Sequence, residues 1–168
     1  MPSGNGFYRT PPTPKSKVCL ASIWVPSPSR CSLPTSQETP PQGSKRYVGG
    51  GRVIEDNPGT RVWRQSAQLQ LATYRSRQLK EPIDEAVLVQ AVFCLPRPKS
   101  VRSALPTSKS SYDLDKLCRA LGDALEGAGV LKNDSRITTW HARKRYAEAD
   151  SNGPAITGVF LRIYKEKQ

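Results

Sequence analysis

Histidine, acidic residues and long apolar runs are scarce in this chain, and each scarcity removes a class of function. The single histidine, His141, and the four cysteines, Cys19, Cys31, Cys94 and Cys118, include no Cys-x-x-Cys pair. A structural zinc site, which needs thiolates and imidazoles at short paired spacings, is therefore not expected. Cys94 falls in an apolar run and Cys118 on a predicted helix, so both read as small buried hydrophobes, and no disulfide framework is implied. No stretch approaches the roughly 20 apolar residues of a membrane span. The opening residues lack the charged and apolar blocks of a secretory signal, so the expectation is a cytoplasmic, reducing location without a membrane partner. No internal repeat is visible. Asp plus Glu number 14 against 26 Lys plus Arg, a formal net charge of +12. That imbalance favours a polyanionic partner, nucleic acid first among them, although charge names a partner and not a reaction. At 168 residues the chain suits one compact domain better than two.

What is present divides into two parts. Residues 1–39 read as a Pro/Ser-rich, mostly disordered tail, with runs such as Thr10-Pro11-Pro12-Thr13-Pro14 that oppose helices and central strands. One exception is Val18 to Val25, apolar enough to add an edge strand. Residues 40–168 read as the folded domain. Lys45-Arg-Tyr-Val, Gly49-Gly50-Gly51 and Arg-Val-Ile-Glu predict a hairpin around a glycine turn, and the absence of a following Gly-Lys-Ser/Thr argues against a phosphate loop there. After Pro58, Trp63, Ala67, Leu71 and Tyr74 keep helical spacing while Arg61, Arg64, Arg75 and Arg77 take other angles, giving a basic amphipathic helix. Ala86 to Leu95 predicts a buried central strand closed by Pro96. A basic loop follows from Arg97 to Tyr112, carrying Lys99, Arg102 and Lys109. The second helix spans Leu114 to Glu126 with Leu117, Leu121, Ala124 and Leu125 on one face, ended by Gly127-Ala128-Gly129. Ile137 to Tyr146 and Ala155 to Tyr164 are the last strands, the latter turning Val159, Leu161 and Ile163 to one side. Strands and helices mix without regular alternation, so the fold class is α+β: one small mixed sheet packed against two main helices.

In so basic a chain the aspartates around the second helix stand out: Asp113 and Asp115 at its start, Asp123 within it, Asp134 after it. The helix rises on the order of 18 Å, and an extended return from Val130 to Asp134 covers roughly 17 Å, so a chain doubling back after Gly129 brings Asp134 toward Asp113 and Asp115. Three such carboxylates repel by about 4 kcal/mol per pair at roughly 4 Å. Mg²⁺ or Mn²⁺ would relieve that repulsion, and hard oxygen donors suit either ion. The same residues have ordinary structural readings: Asp113 as a helix cap, Asp115 as a first-turn residue favoured by the dipole, Asp134 as a turn residue after Asn133. Spacing by itself leaves both readings open.

The run from Asp113 to Ile137, DLDKLCRALGDALEGAGVLKNDSRI, resembles without a gap the RusA-family signature, in which D-L-D-N-L-x-K leads through D-A-L to a paired acidic D-D-x-x-V/I. Pro40-Pro41-Gln42-Gly43-Ser44-Lys45 is similar to that family's P-x-P-Q-G-S-K, and Pro96-Arg97-Pro98-Lys99-Ser100 to its P-R-P-K-S. The likeness covers about Pro40 to Tyr164. It implies a Holliday junction resolvase, an endonuclease that cuts four-way DNA junctions by paired symmetric nicks in recombination and repair, often phage-encoded, leaving a 5′-phosphate and a 3′-hydroxyl. It further implies that Asp113, Asp115 and Asp134 bind the catalytic Mg²⁺, with Mn²⁺ as substitute, and that Arg119 stands where the family has a functional lysine. A homodimer is implied too, since a four-way junction presents two equivalent strands. Two departures are Lys116 for the usual asparagine and Asn133 for the first acidic residue of the pair, whose amide oxygen remains a weaker metal donor. Lys99, Arg102, Lys109, Lys116, Lys144 and Arg145 are the candidates for DNA contacts. The rival readings are a non-catalytic basic nucleic-acid-binding protein and a nuclease acting on flaps or forks.

Overall fold

A computed structural model describes residues 17–27, 45–47, 53–55, 58–108, 111–148 and 155–166. The elements in chain order are β1 (Cys19–Pro26), β2 (Lys45–Tyr47), β3 (Val53–Glu55), α1 (Pro58–Gln78), β4 (Val87–Leu95), α2 (Leu114–Gly127), a single 3₁₀ turn (Asp134–Arg136), β5 (Ile137–Tyr146) and β6 (Gly158–Lys165). Four strands form one mixed sheet in the order β1-β6-β4-β5, and β2 pairs with β3 as a separate hairpin. Only β4 and β5 run parallel, joined through α2; β6 is antiparallel to both β1 and β4. The expected α+β architecture, with two helices on a small mixed sheet, is what the chain adopts.

Alternation divides the sheet residues between two faces. Val89, Ala91, Phe93 and Leu95 of β4, Ile23 and Val25 of β1, and Val159, Leu161 and Ile163 of β6 enter one core with the helices. All nine residues of β4 are buried, as its nearly continuous apolar run requires of a strand with neighbours on both edges. On its other face Val92 and Cys94 pack with Ala147 and Trp24. Gln90 is buried there as well and has the Tyr164 hydroxyl 3.5 Å from its Oε1. Trp63, Ala67 and Leu71 carry the buried stripe of α1, and Leu117, Ala120, Leu121, Ala124 and Leu125 that of α2. The helices lie against each other, and Arg64 Nη1 of α1 reaches Asp123 Oδ2 of α2 at 2.9 Å. Asp123 thus ties the two helices together.

The strand expected at Val18 to Val25 is present as β1, antiparallel to β6, so a segment of the proline-rich region completes the sheet. From Cys19 to Val25 it carries no proline, so these residues are free to offer backbone N–H groups to β6. The glycine turn at 49–51 and most of residues 1–44 lie outside the described residues. The last strand begins at Gly158, three positions later than its apolar pattern. Among the described residues no helix is long and apolar enough to cross a membrane.

Candidate functional site

The site begins where the basic loop becomes α2. Asp113 occupies the N-cap with extended backbone angles, φ −67° and ψ 139°, yet its carboxylate makes no capping hydrogen bond. It is turned outward and pairs with Lys116 Nζ at 3.0 Å. A capping role is therefore not what occupies this side chain, since a cap would accept from the second or third helical N–H. Asp115, in the first turn, is exposed and makes no ion pair among the described residues. Both anions sit at the positive end of the helix dipole, which offsets part of their mutual repulsion.

The far end of α2 explains where Asp134 lands. Gly129, at φ +68°, takes the left-handed conformation; its N–H donates to the Glu126 carbonyl at 2.8 Å and that of Val130 to the Leu125 carbonyl at 3.0 Å. These are the two bonds of a Schellman ending, and Leu125 and Val130 are both fully buried. The chain then pairs with Ile83, whose N–H donates to Val130 O at 2.9 Å and whose carbonyl accepts from Lys132 N at 3.0 Å. Asn133 follows as the cap of the 3₁₀ turn. Its Oδ1 accepts from Ser135 N at 3.0 Å and its Nδ2 donates to Glu126 Oε1 at 3.0 Å. The amide oxygen considered as a metal donor is thus engaged by the backbone, and the turn-forming duty falls to Asn133, leaving the Asp134 carboxylate exposed.

A Cβ placed on Gly122 would lie 3.9 Å from Asp134 Cβ. Gly122 follows Asp115 by seven residues, a rise of roughly 10 Å along the helix. Asp113 and Asp115 thus stand two positions apart at the helix start, while Asp134 is beside the middle of α2, near the Asp115 face and about two turns along. The return is shorter than a straight extended path because residues 130–133 are used by the bridge to Ile83 and the capped turn. Among the described residues no three His, Cys, Asp or Glu side chains form a group that could hold a metal ion.

The cations sort into free and engaged. Arg119, one turn after Asp115, is exposed and unpaired among the described residues; Asp123, four residues further on, pairs with Arg64. Lys99 and Arg102 are exposed on a loop shaped by Arg97, whose Nη2 donates to the carbonyls of Arg102 at 3.3 Å and Ser103 at 3.1 Å. The Arg97 guanidinium also lies over the Tyr146 ring, 5.4 Å from its centroid. Arg97 was part of a recognisable motif, but its work in folding the loop had no signature in the sequence. Lys116 is held by Asp113. Arg145 is half-buried with its Nε enclosed, and Lys109 lies outside the described residues. Lys144, expected as a DNA contact, has its ammonium turned inward, donating to the Tyr112 carbonyl at 2.6 Å and to Ser111 Oγ at 3.1 Å.

Cys118 packs on the core one turn after Asp115, and burial, with the Asp115 charge second, pushes its thiol up to about 11. At neutral pH it is a protonated thiol and therefore a poor metal ligand.

No curated protein matches the chain. A family model described as endodeoxyribonuclease RusA matches residues 38–153, more than half of its length. The matched span runs through α1, β4, α2 and β5 and includes Asp113, Asp115, Arg119 and Asp134; β1 and β6 lie outside it. An uncapped aspartate pair opening α2, an exposed arginine one turn on and a basic loop beside them thus occur within a matching family span, and the chain belongs to the RusA family of endodeoxyribonucleases, the Holliday junction resolvases.

Proposed function

We propose that this chain is a Mg²⁺-dependent endodeoxyribonuclease that resolves four-way DNA junctions by paired symmetric nicks, acting as a homodimer in recombination and repair. The observation that carries the reading is the outward, non-capping Asp113 carboxylate beside the unpaired Asp115 in a family of nucleases. Two exposed carboxylates fit Mg²⁺, which typically takes one or two protein carboxylates and fills its remaining positions with water and substrate phosphate. Asp113 and Asp115 would hold the ion, and Asp134 supplies a third carboxylate farther along α2. When bound, Mg²⁺ or Mn²⁺ supplies a polarised phosphate and an activated water.

The chain's own residues do the rest. In holding the ion Asp113 would give up its pairing with Lys116, whose ammonium stands beside the site where a backbone phosphate would lie. Arg119 faces solvent with all its donors available and suits a non-bridging phosphate oxygen, where a planar guanidinium can make two parallel bonds. Lys99 and Arg102 add sequence-independent backbone contacts. Two protomers related by a twofold axis would offer two equivalent sites to the two equivalent strands of a junction. Each cut leaves a 5′-phosphate and a 3′-hydroxyl, as the family implies.

The test is incubation of a labelled junction, a fork and a linear duplex with Mg²⁺, Mn²⁺ or EDTA, comparing the native chain with Asp113→Asn and Asp115→Asn. Metal-dependent junction cleavage, lost in both variants while binding survives, is expected. Full cleavage by Asp113→Asn overturns the assignment. Salt-sensitive binding without cleavage at any metal concentration would instead identify a non-catalytic DNA-binding protein.

A further inference from the structure

We infer that Lys144 is a positioning residue for Asp113, acting through the backbone of Tyr112, and is not a DNA contact. Strand β5 runs back along α2. Ile137 and Trp140 lie beside Gly122, and Trp140 and Ala142 pack on the helix-side core. Alternation puts Lys144 on that same side, farther along, where β5 passes the start of α2. There its half-buried ammonium donates to the Tyr112 carbonyl at 2.6 Å.

That carbonyl belongs to the peptide unit whose nitrogen is Asp113's. Fixing its direction fixes the peptide plane entering the N-cap, which together with the Asp113 φ of −67° sets the direction in which the Asp113 side chain leaves the backbone. The second bond, to Ser111 Oγ at 3.1 Å, extends the clamp. The Ser111 hydroxyl accepts from Lys144 and in turn has the carbonyls of Pro106 and Ser108 within 2.7 Å and 2.8 Å as acceptors. One ammonium on the sheet thus gathers the end of the basic loop and aims the first aspartate of the site. Charge-assisted bonds to carbonyls are stronger than neutral ones, which suits a contact that must hold against the repulsion of Asp113 and Asp115. These two acceptors take two of the ammonium's three donors and hold it against the loop.

The inference rests on the reading of Asp113 as a metal ligand, and the test separates the two. In Lys144→Met, the backbone amides of Thr107, Ser108 and Ser111 to Asp113 should exchange faster with solvent, reporting local opening without reference to activity. The Mn²⁺ concentration for half-maximal binding should rise by about ten-fold, the range seen when a partner of a metal ligand is removed. Cleavage should lose kcat with junction KM unchanged. Junction binding in EDTA should keep its salt dependence, whereas Lys99→Ala should lower the logarithmic slope by roughly 0.9. Ser111→Ala, which keeps the ammonium and removes one acceptor, should show the same changes in smaller degree, and it serves if Lys144→Met does not fold. Unchanged amide exchange, or a slope reduced by roughly 0.9 with Mn²⁺ binding intact, overturns the inference. Mn²⁺ binding by the native chain that Asp113→Asn leaves untouched would sink the metal assignment while the exchange data still decide the clamp.

Discussion

Arg136 and Asp84 meet across the chain, the guanidinium placing Nε 2.9 Å and Nη2 2.7 Å from Asp84 Oδ1, while Lys132 Nζ takes the other oxygen at 2.6 Å. One carboxylate therefore grips both flanks of the segment that carries Asp134. The hydrogen bonds from Lys132 and then Arg136 hold the Asp84 carboxyl below its ordinary 3.8. A lowered carboxyl stabilises the fold at pH above its unfolded value and loses that contribution as pH falls through the folded one. Asp84→Asn should accordingly lower the melting temperature modestly at neutral pH. The gap between variant and native chain should close on acidification below 3.8. Melts across that range check it, and a gap that persists in acid would count against the ion pairs.

Cys118 gives a second titration, of opposite sign. Its thiol is raised from 9.0 to about 11, by burial first and by Asp115 second. The protonated form is the one the fold favours, so this contribution is complete below pH 9.0 and lost as pH rises toward about 11. Alkylation followed by peptide mapping at mildly alkaline pH should find Cys118 slower than the exposed Cys19. Asp115→Asn should speed it only partly, because burial remains.

Two glycines predict opposite outcomes for the same substitution. At Gly158, an added Cβ would stand 2.4 Å from the Val25 carbonyl oxygen and 2.9 Å from Pro26 Cα, both backbone atoms of β1. Gly158→Ala must push β1 away from β6 and should destabilise the fold. At Gly122 the nearest atoms are 3.8 Å away, ordinary contact in the middle of a helix. Gly122→Ala should therefore stabilise by about 0.5–1 kcal/mol, the helical preference for alanine. Denaturant titrations of the two variants would test both signs.

The basic loop makes the last prediction. Lys99 and Arg102 are exposed, and the Arg97 bonds go to carbonyls of the loop and leave the Lys99 and Arg102 side chains out of them. If both cations contact phosphate, replacing them with alanine should weaken junction and duplex binding alike and reduce the logarithmic salt slope by roughly 1.8. An unchanged slope would place DNA elsewhere on the protein.

Much of this was legible in the residues alone, for a local reason. The spacing of Leu117, Leu121 and Leu125 and the closing Gly129 define α2 because periodicity and a left-handed ending are properties of neighbours in sequence. The nearly continuous apolar run of β4 marks a central strand on the same grounds, and Asp113 and Asp115 are neighbours because only Leu114 separates them. What lay beyond reach depends on contacts between distant segments. The parallel pairing of β4 with β5, the placing of Asp134 beside Gly122 and the inward turn of Lys144 toward Tyr112 all follow from how far the chain travels between α2 and β5. That path is set by the bridge of residues 130–132 to Ile83 and by the Asn133 cap. The sequence alone thus determined the kinds of elements and the chemistry they carry. Only the tertiary structure decided which side chains meet, because turn geometry and register choose the partners of residues far apart along the chain.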